Sequence, residues 1–267
     1  MKIKEITIVG GCGKNNTKEP VKKVTLKMGD IVSIVGPTGC GKSTLINDIE
    51  MFASGNSPSR RTVLINGAAP KEEDDLFDPA KNPIATITQH TNFLSDLSVK
   101  VFLETHAEIR QSGKIKPIIE ETIGFANQLT GEPIIMDSVM TELSGGQTRA
   151  LLIADAVIIG NSPIILLDEI ENAGINRTKA LELLKNYKKI FVFVTHDPTI
   201  ALLSDFRITM KNGAMQSILT TNDEEKRVVE DLKKMDALLV DFRNRIRNGE
   251  QLSELILREK LRKYGYL

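Results

Sequence analysis

The chain has 267 residues, 41% hydrophobic and 26% charged, which excludes wholesale disorder and a fibrous coil and fits one or two domains. Thirty-five Lys and Arg balance 35 Asp and Glu, so no global charge draws it toward nucleic acid or an acidic membrane. With no Trp, three Tyr and nine Phe, reading bases by aromatic stacking is excluded as its main business.

The opening MKIKEITIVGG alternates charge and apolar residues as a strand does, and lacks the apolar core of a signal peptide. Ile3 to Val9 is the first expected strand and Val21 to Met28 the second, closed by a Gly29-Asp30 turn. Ile31 to Val35 is an apolar run of the kind buried on both faces of a parallel sheet. Gly36 to Gly41 interrupts it, and Leu45, Ile49 and Phe52 space a helix from Lys42. A short strand follows at Thr62 to Ile65, with a turn at Asn66-Gly67. The acidic run at 71–79 reads as a solvated insertion. Strand Ile84 to Thr88 precedes two helical patterns, Val99 to Ile109 and Ile118 to Leu129.

Helix Thr148 to Ile159, strand Ile164 to Leu167, helix Asn176 to Tyr187 and strand Ile190 to Val194 then alternate. Arg207 to Met210 and Ala214 to Leu219 close as a hairpin around Asn212-Gly213. This alternation predicts an α/β fold with a mainly parallel sheet, into which the helical segment 91–143 is inserted. The longest apolar stretch, Leu151 to Leu167, is broken by Asp155 and by Asn161-Ser162-Pro163, so no membrane span is expected. From 221 the chain turns charge-dense. Thr221-x-x-Glu224 reads as a capping box before a helix striped by Val228, Leu232, Met235, Leu239, Phe242 and Ile246. A shorter helix with Leu252, Leu255, Ile256 and Leu261 follows. Six stripe positions fall short of a free coiled coil, so the stripe is expected to pack on the chain's own body or a neighbouring subunit.

Gly36-Pro37-Thr38-Gly39-Cys40-Gly41-Lys42-Ser43 fits G-x-x-x-x-G-K-[ST], between a buried strand and a helix. Glycines let backbone N–H groups close around phosphate oxygens, and the helix start adds positive potential. Lys42 suits the β- and γ-phosphates, and Ser43 suits Mg²⁺. Upstream, Gly10-Gly11-Cys12-Gly13-Lys14 looks alike, but the following residues lack an apolar period and Pro20 opposes a helix, so it reads as a turn or edge loop. Neither Cys12 nor Cys40 has His ligands near it; both read as reduced thiols. Pro163 to Leu167 is a strand delivering Asp168 and Glu169 at its carboxyl end, where α/β sheets bind ligands. Leu143-Ser144-Gly145-Gly146-Gln147 forms a second anion cradle at a helix start.

With this last element, residues 1 to 220 resemble the ATP-binding-cassette (ABC) ATPases. The resemblance implies a P-loop NTPase fold: a catalytic core from 1–90 and 144–220, an antiparallel β subdomain, a helical subdomain at 91–143 and a helical extension at 221–267. It implies ATP contacts from Gly36, Pro37, Thr38, Gly39, Cys40, Gly41, Lys42, Ser43 and Thr44, and from Ser144, Gly145, Gly146 and Gln147 of a head-to-tail partner. Mg²⁺ would be held by Ser43, Gln89 and Asp168, with Glu169, His196 and Gln89 as the catalytic set. The expected partners are a second ABC subunit, in a homodimer or pseudo-dimer, and an integral membrane protein or a soluble one. No nucleic acid is expected, and the location is cytoplasmic, at the inner membrane face if the partner is a transporter.

Three positions depart from the family. Ile175 stands where an Asp usually helps tie the two sites together. Gly10 to Val24 has no aromatic residue to stack on adenine, so the triphosphate must supply most of the affinity. Asp155 replaces a usual Arg, read as a changed surface charge. The function expected is an ABC-type ATPase, as the nucleotide-binding subunit of a membrane transporter or, alternatively, a soluble ATPase remodelling a protein or metalloenzyme. A small-molecule P-loop kinase would leave Leu143 to Gln147 unexplained.

Overall fold

A computed structural model of the chain describes residues 2–70, 82–88, 91, 95–110, 113–170, 175 and 177–266. The acidic run at 71–79 and Gln89 lie outside the described residues. Three strands, β1 (Glu5–Val9), β2 (Lys23–Lys27) and β4 (Thr62–Ile65), form an antiparallel sheet in the order β2-β1-β4. Register pairs Ile6 with Leu26 and Ile8 with Val24 on one edge, and Ile6 with Ile65 and Ile8 with Val63 on the other. Every second residue of these strands is therefore apolar and points to one face, as a half-buried sheet requires.

The main sheet has six strands in the order β5-β6-β7-β3-β8-β9. They are β3 (Ile31–Val35), β5 (Ile84–Ile87), β6 (Ile164–Asp168), β7 (Ile190–Val194), β8 (Phe206–Lys211) and β9 (Ala214–Thr220). The first five in that spatial order are parallel, and β9 returns antiparallel from the Asn212-Gly213 turn. Alternate residues of the central strands feed two cores. Ile165, Leu167, Phe191 and Phe193 join the first, with helices α2 (Val99–Arg110), α3 (Ile115–Leu129), α4 (Gly145–Val157) and α5 (Arg177–Leu184). Leu166, Val192, Val194 and Ile34 join the second, with α1 (Lys42–Glu50) and the inner face of the antiparallel sheet. Burial on both faces explains why these strands read as apolar runs rather than alternations. A short helix, α6 (Pro198–Leu203), has no counterpart in the sequence reading, because six residues are too few to show a period.

Chain contacts divide the protein into two units, Met1–Thr220 and Thr221–Leu267. The second unit consists of α7 (Asp223–Arg247) and α8 (Glu254–Lys263). The capping box lies one residue later than expected. Asn222 accepts from the Glu225 N–H at 2.9 Å and Glu225 accepts from the Asn222 N–H at 3.3 Å, while Thr221 is not the cap. Both registers satisfy the sequence pattern, and Asn is at least as good a cap as Thr. Within this unit Lys260 reaches Asp241 at 3.0 Å, and the Tyr266 hydroxyl donates to the Asp231 carbonyl at 3.0 Å.

Asp155 is not a surface charge. It is 8% exposed on α4 and takes a 2.7 Å hydrogen bond with Nδ1 of His106 on α2, so it ties two helices of the first core together. Ile175 is buried in that same core and contributes packing rather than a carboxylate.

Candidate nucleotide site

Strand β3 ends at Val35, and the next six residues turn back over the start of α1 before Lys42 begins the helix. Two glycines of this loop are required by space. A Cβ on Gly36 would lie 2.4 Å from the Met210 carbonyl oxygen, and one on Gly41 would lie 2.9 Å from Cα of Gly213. The loop thus passes directly under the β8–β9 turn, and the Gly213 N–H donates to the Cys40 carbonyl at 2.8 Å. Gly41 also takes a φ of 100°, which a side chain would resist.

Lys42 is buried, and its ammonium donates to the carbonyls of Gly36 at 2.9 Å and Pro37 at 3.3 Å. Nε2 of His196 lies 3.0 Å from the same ammonium, so it accepts and the imidazole proton belongs on Nδ1. His196 follows β7 and precedes Asp197, which caps α6 through the Ile200 N–H at 3.0 Å and pairs with Arg177. Oε1 of Glu169 stands 3.8 Å from His196 Nε2. Glu169 directly follows β6 and has a φ of 50°, with its N–H bonded to the Val194 carbonyl at 2.9 Å. A left-handed backbone at a long carboxylate residue costs about 1–3 kcal/mol and is characteristic of functional sites.

A cavity of about 510 Å³ brings these groups together. Thr38, Gly39, Gly41, Lys42, Ser43 and Thr44 form its floor, and Asp168, Glu169, Val194 and His196 form one wall. The other wall is Cys12, Gly13 and Lys14 with Pro58 and Ser59; the family resemblance set the Gly10 to Val24 stretch beside the base, while Pro58 and Ser59 were missed. The Gly10 to Lys14 stretch is a loop, as its lack of apolar period indicates, yet it borders the same space as the phosphate loop. Its position is fixed by charge burial. Arg61, with no exposed surface, bonds Glu19 at 2.6 Å, Asp48 at 2.8 Å and the Gly213 carbonyl at 2.7 Å. Glu19 in turn accepts from the N–H groups of Gly11 at 2.9 Å and Met215 at 2.6 Å. Burial opposes the Arg61 charge, but bonds and attraction from Glu19 and Asp48 outweigh it and hold the guanidinium above its ordinary pKa.

Ser43 and Asp168 offer oxygen donors on the same cavity, which is the donor type Mg²⁺ prefers. No cluster of three or more metal-binding side chains occurs among the described residues. Two such oxygens on a cavity beside the phosphate loop fit a Mg²⁺ that completes its shell with phosphates and water.

The second cradle is built differently. Ser144 caps α4: its hydroxyl accepts from the Gln147 N–H at 3.3 Å, and Gln147 Oε1 accepts from the Ser144 N–H at 3.0 Å. Gln147 also donates to the Pro133 carbonyl at 3.1 Å. Ser144 and Gly145 are exposed, and none of Ser144, Gly145, Gly146 or Gln147 lines the cavity over the phosphate loop. Within one chain, then, the two cradles do not meet. Pro37 and Cys40 belong to the phosphate loop without lining that cavity; Cys40 is buried against Gly36.

The family model described as ABC transporter matches residues 22–172. The ABC transporter ATP-binding protein MJ0121 of Methanocaldococcus jannaschii is 50% identical over 253 residues, covering 95% of this chain and 96% of its own. The spermidine/putrescine import ATP-binding protein PotA of Bacteroides fragilis is 32% identical over 82% of this chain, which spans only 48% of that relative. Among solved structures, a dimeric post-hydrolysis state of the ATP-binding cassette MJ0796 bound to ADP and Pi is 25% identical with a TM-score of 0.62. It covers 81% of this chain and 99% of its own. A bacterial Atm1-family ABC exporter with ATP bound, 19% identical with a TM-score of 0.64, covers 85% of this chain and 41% of its own, and shares the fold.

Proposed function

As the chain belongs to the ABC transporter family of ATP-binding proteins, we propose that it binds MgATP on the loop 36–44 and hydrolyses it between two head-to-tail copies. The observation that carries this reading is the convergence of Lys42, Ser43, Asp168, Glu169 and His196 on one cavity, while Ser144 presents an exposed helix start elsewhere. A cavity so furnished lacks only donors on its open side, and the cap at Ser144 is a donor set without a ligand-binding wall of its own.

The loop N–H groups and Lys42 bind the β- and γ-phosphates; to do so Lys42 exchanges its bonds to the Gly36 and Pro37 carbonyls for phosphate oxygens. Bound Mg²⁺ would be held by Ser43 and Asp168, with Gln89 as a further ligand, and supplies charge neutralisation for the transferred phosphoryl group. Glu169 orients the attacking water and accepts its proton. His196 contacts the γ-phosphate, and in the free site its Nε2 accepts from the Lys42 ammonium at 3.0 Å. Ser144 and the N–H groups of Gly145 and Gly146 complete the anion site from the opposite copy. The work so produced is delivered to an integral membrane partner, which makes the chain the nucleotide-binding subunit of a transporter at the inner membrane face. The names of its relatives support this, and no helix among the described residues is long and apolar enough to cross a membrane.

The test is Glu169→Gln. The amide keeps the side chain's shape and loses its basicity, so ATP binding persists, turnover stops, and MgATP traps a dimer visible by gel filtration. Turnover at the wild-type rate would move the water-activating role elsewhere.

A further inference from the structure

Helix α7 carries an apolar stripe that its own unit, residues 221–267, leaves open. Val228 is 46% exposed, Met235 50%, Leu239 50% and Ile246 60%, while Val229 and Leu238 of the same helix are buried. Leu232 and Phe242, between them, are half-buried. The stripe steps by four and three residues alternately, the spacing of a seam between two helices.

The stripe is symmetric. Val228 and Ile246, Leu232 and Phe242, and Met235 and Leu239 lie nine, five and two positions on either side of Ala237. A helix with this pattern matches a copy of itself running the opposite way, with a two-fold axis at the level of Ala237. Each large residue then meets its mirror position: Val228 against Ile246 of the partner subunit, Leu232 against Phe242 of the partner subunit, and Met235 against Leu239 of the partner subunit.

Charge selects the same direction. Residues 223–232 hold five carboxylates against two cations, and residues 233–247 hold five cations against two carboxylates. Parallel pairing would set acidic half on acidic half, whereas antiparallel pairing sets acidic on basic. Along one edge of the stripe Asp231 and Arg245 are two heptads apart, and reversal brings Asp231 against Arg245 of the partner subunit on both sides of the axis. The bonds these residues make within the chain, Asp231 to Lys234 at 2.9 Å and Arg245 to Asp241 and Glu250 at 3.3 and 2.7 Å, are surface ion pairs and exchange readily. One feature opposes the pairing: Asp236, on the other edge, faces its own copy close to the axis.

We infer that α7 is a second dimer contact of this protein, an antiparallel two-fold seam with the α7 of another copy, formed without nucleotide. Closed point symmetry makes one such seam sufficient, since a patch that matches itself satisfies both copies at once. The seam would run about 27 Å along the helix, from Val228 to Ile246. It would hold two chains together while their nucleotide sites are open.

The experiment is sedimentation equilibrium of the full chain in the absence of nucleotide and Mg²⁺, across the micromolar range. The wild-type chain is expected to be a dimer, and Lys42→Ala, which disables the phosphate loop, is expected to remain one. Leu239→Asp is expected to be a monomer with an unchanged circular dichroism spectrum, since the position is exposed. Arg245→Glu should weaken the dimer by about tenfold. Adding Asp231→Arg to it should restore the dimer, because the reversed pair meets again across the axis. Asp236→Asn should tighten it. A wild-type monomer throughout the range, a dimer indifferent to Leu239→Asp, or a charge reversal that fails to restore association would each overturn the proposal. None of these outcomes bears on MgATP-driven closure, which is read separately with Glu169→Gln.

Discussion

At residues 36–44 the glycine loop leads into a wall of side chains: Lys42 under its own carbonyls, His196 and Glu169 beside it, Asp168 at the strand end. At residues 144–147 a similar composition leads nowhere. Ser144 and Gln147 satisfy one another in a capping box, and no carboxylate or cation of the catalytic set stands near them in the cavity they would need. Both are anion cradles at a helix N-terminus, yet one is surrounded by chemistry and the other is exposed. Within one chain the two do not meet, and on the function proposed above they are halves of one site that a second ABC subunit joins. The capping box serves the N–H groups of Ser144 and Gln147 and leaves those of Gly145 and Gly146 to an incoming anion.

The contrast predicts opposite consequences for one substitution in each cradle. Lys42→Ala removes the buried cation that faces the phosphates, and nucleotide affinity of the monomer should fall by about a hundredfold or more, roughly 2.8 kcal/mol. Ser144→Arg should leave that affinity within about twofold while abolishing closure and turnover, because the arginine crowds the opposing γ-phosphate. Titration of a fluorescent ATP analogue against each variant separates the two. Loss of monomer binding in the Ser144 variant would place both cradles on one nucleotide.

A smaller effect concerns the base. Among the described residues the wall opposite the carboxylates offers a thiol, backbone, an ammonium, a proline and a hydroxyl from Cys12, Gly13, Lys14, Pro58 and Ser59, and no aromatic ring. Stacking on an aromatic is worth roughly 1–3 kcal/mol per base. Without it, GTP should compete with ATP within about tenfold, or 1.4 kcal/mol. Discrimination of a hundredfold would mean that this wall reads the purine edge.

How far the sequence could be read depended on whether a residue's partners were near it in the chain. The strand Ile31–Val35, the loop after it and the helix start at Lys42 are one continuous segment, so period and spacing were enough. Asp168 and Glu169 were legible because strand ends in parallel sheets point at ligands. Arg61 was not: it sits in a polar stretch with no apolar period, and its burial follows from Glu19 and Asp48, 42 and 13 residues away in sequence. Asp155 was misread for the same reason, since its partner His106 is 49 residues distant. The loop Cys12 to Lys14 was identified as a loop, but its place on the cavity depends on that same arginine.

The weakest expected effect lies away from both cradles. Lys189, just before β7, is 6% exposed, and burial pushes its pKa from 10.5 down to about 8. Its ammonium donates to Asn161 at 2.7 Å and to the Ser162 carbonyl at 3.1 Å, neither of them charged. Below pH 8 folding buries a cation and is disfavoured by it. Between pH 8 and 10.5 the folded chain releases the proton while the unfolded chain keeps it, so stability from this group rises with pH. Measured as Tm, the wild-type chain should gain a few degrees on Lys189→Met between pH 7.5 and 10, and a constant difference would show that Lys189 is not desolvated.

The joined-halves account is tested most directly by mixing two dead variants. Lys42→Ala keeps a sound second cradle, and Ser144→Arg keeps a sound phosphate loop. In a head-to-tail pair of the two, one site inherits both defects and the other inherits none. An equal mixture should therefore recover about a quarter of wild-type single-turnover hydrolysis, from the half of the dimers that are mixed. If hydrolysis stays at the level of the separate variants at every mixing ratio, the nucleotide is not shared between two chains and the account is wrong.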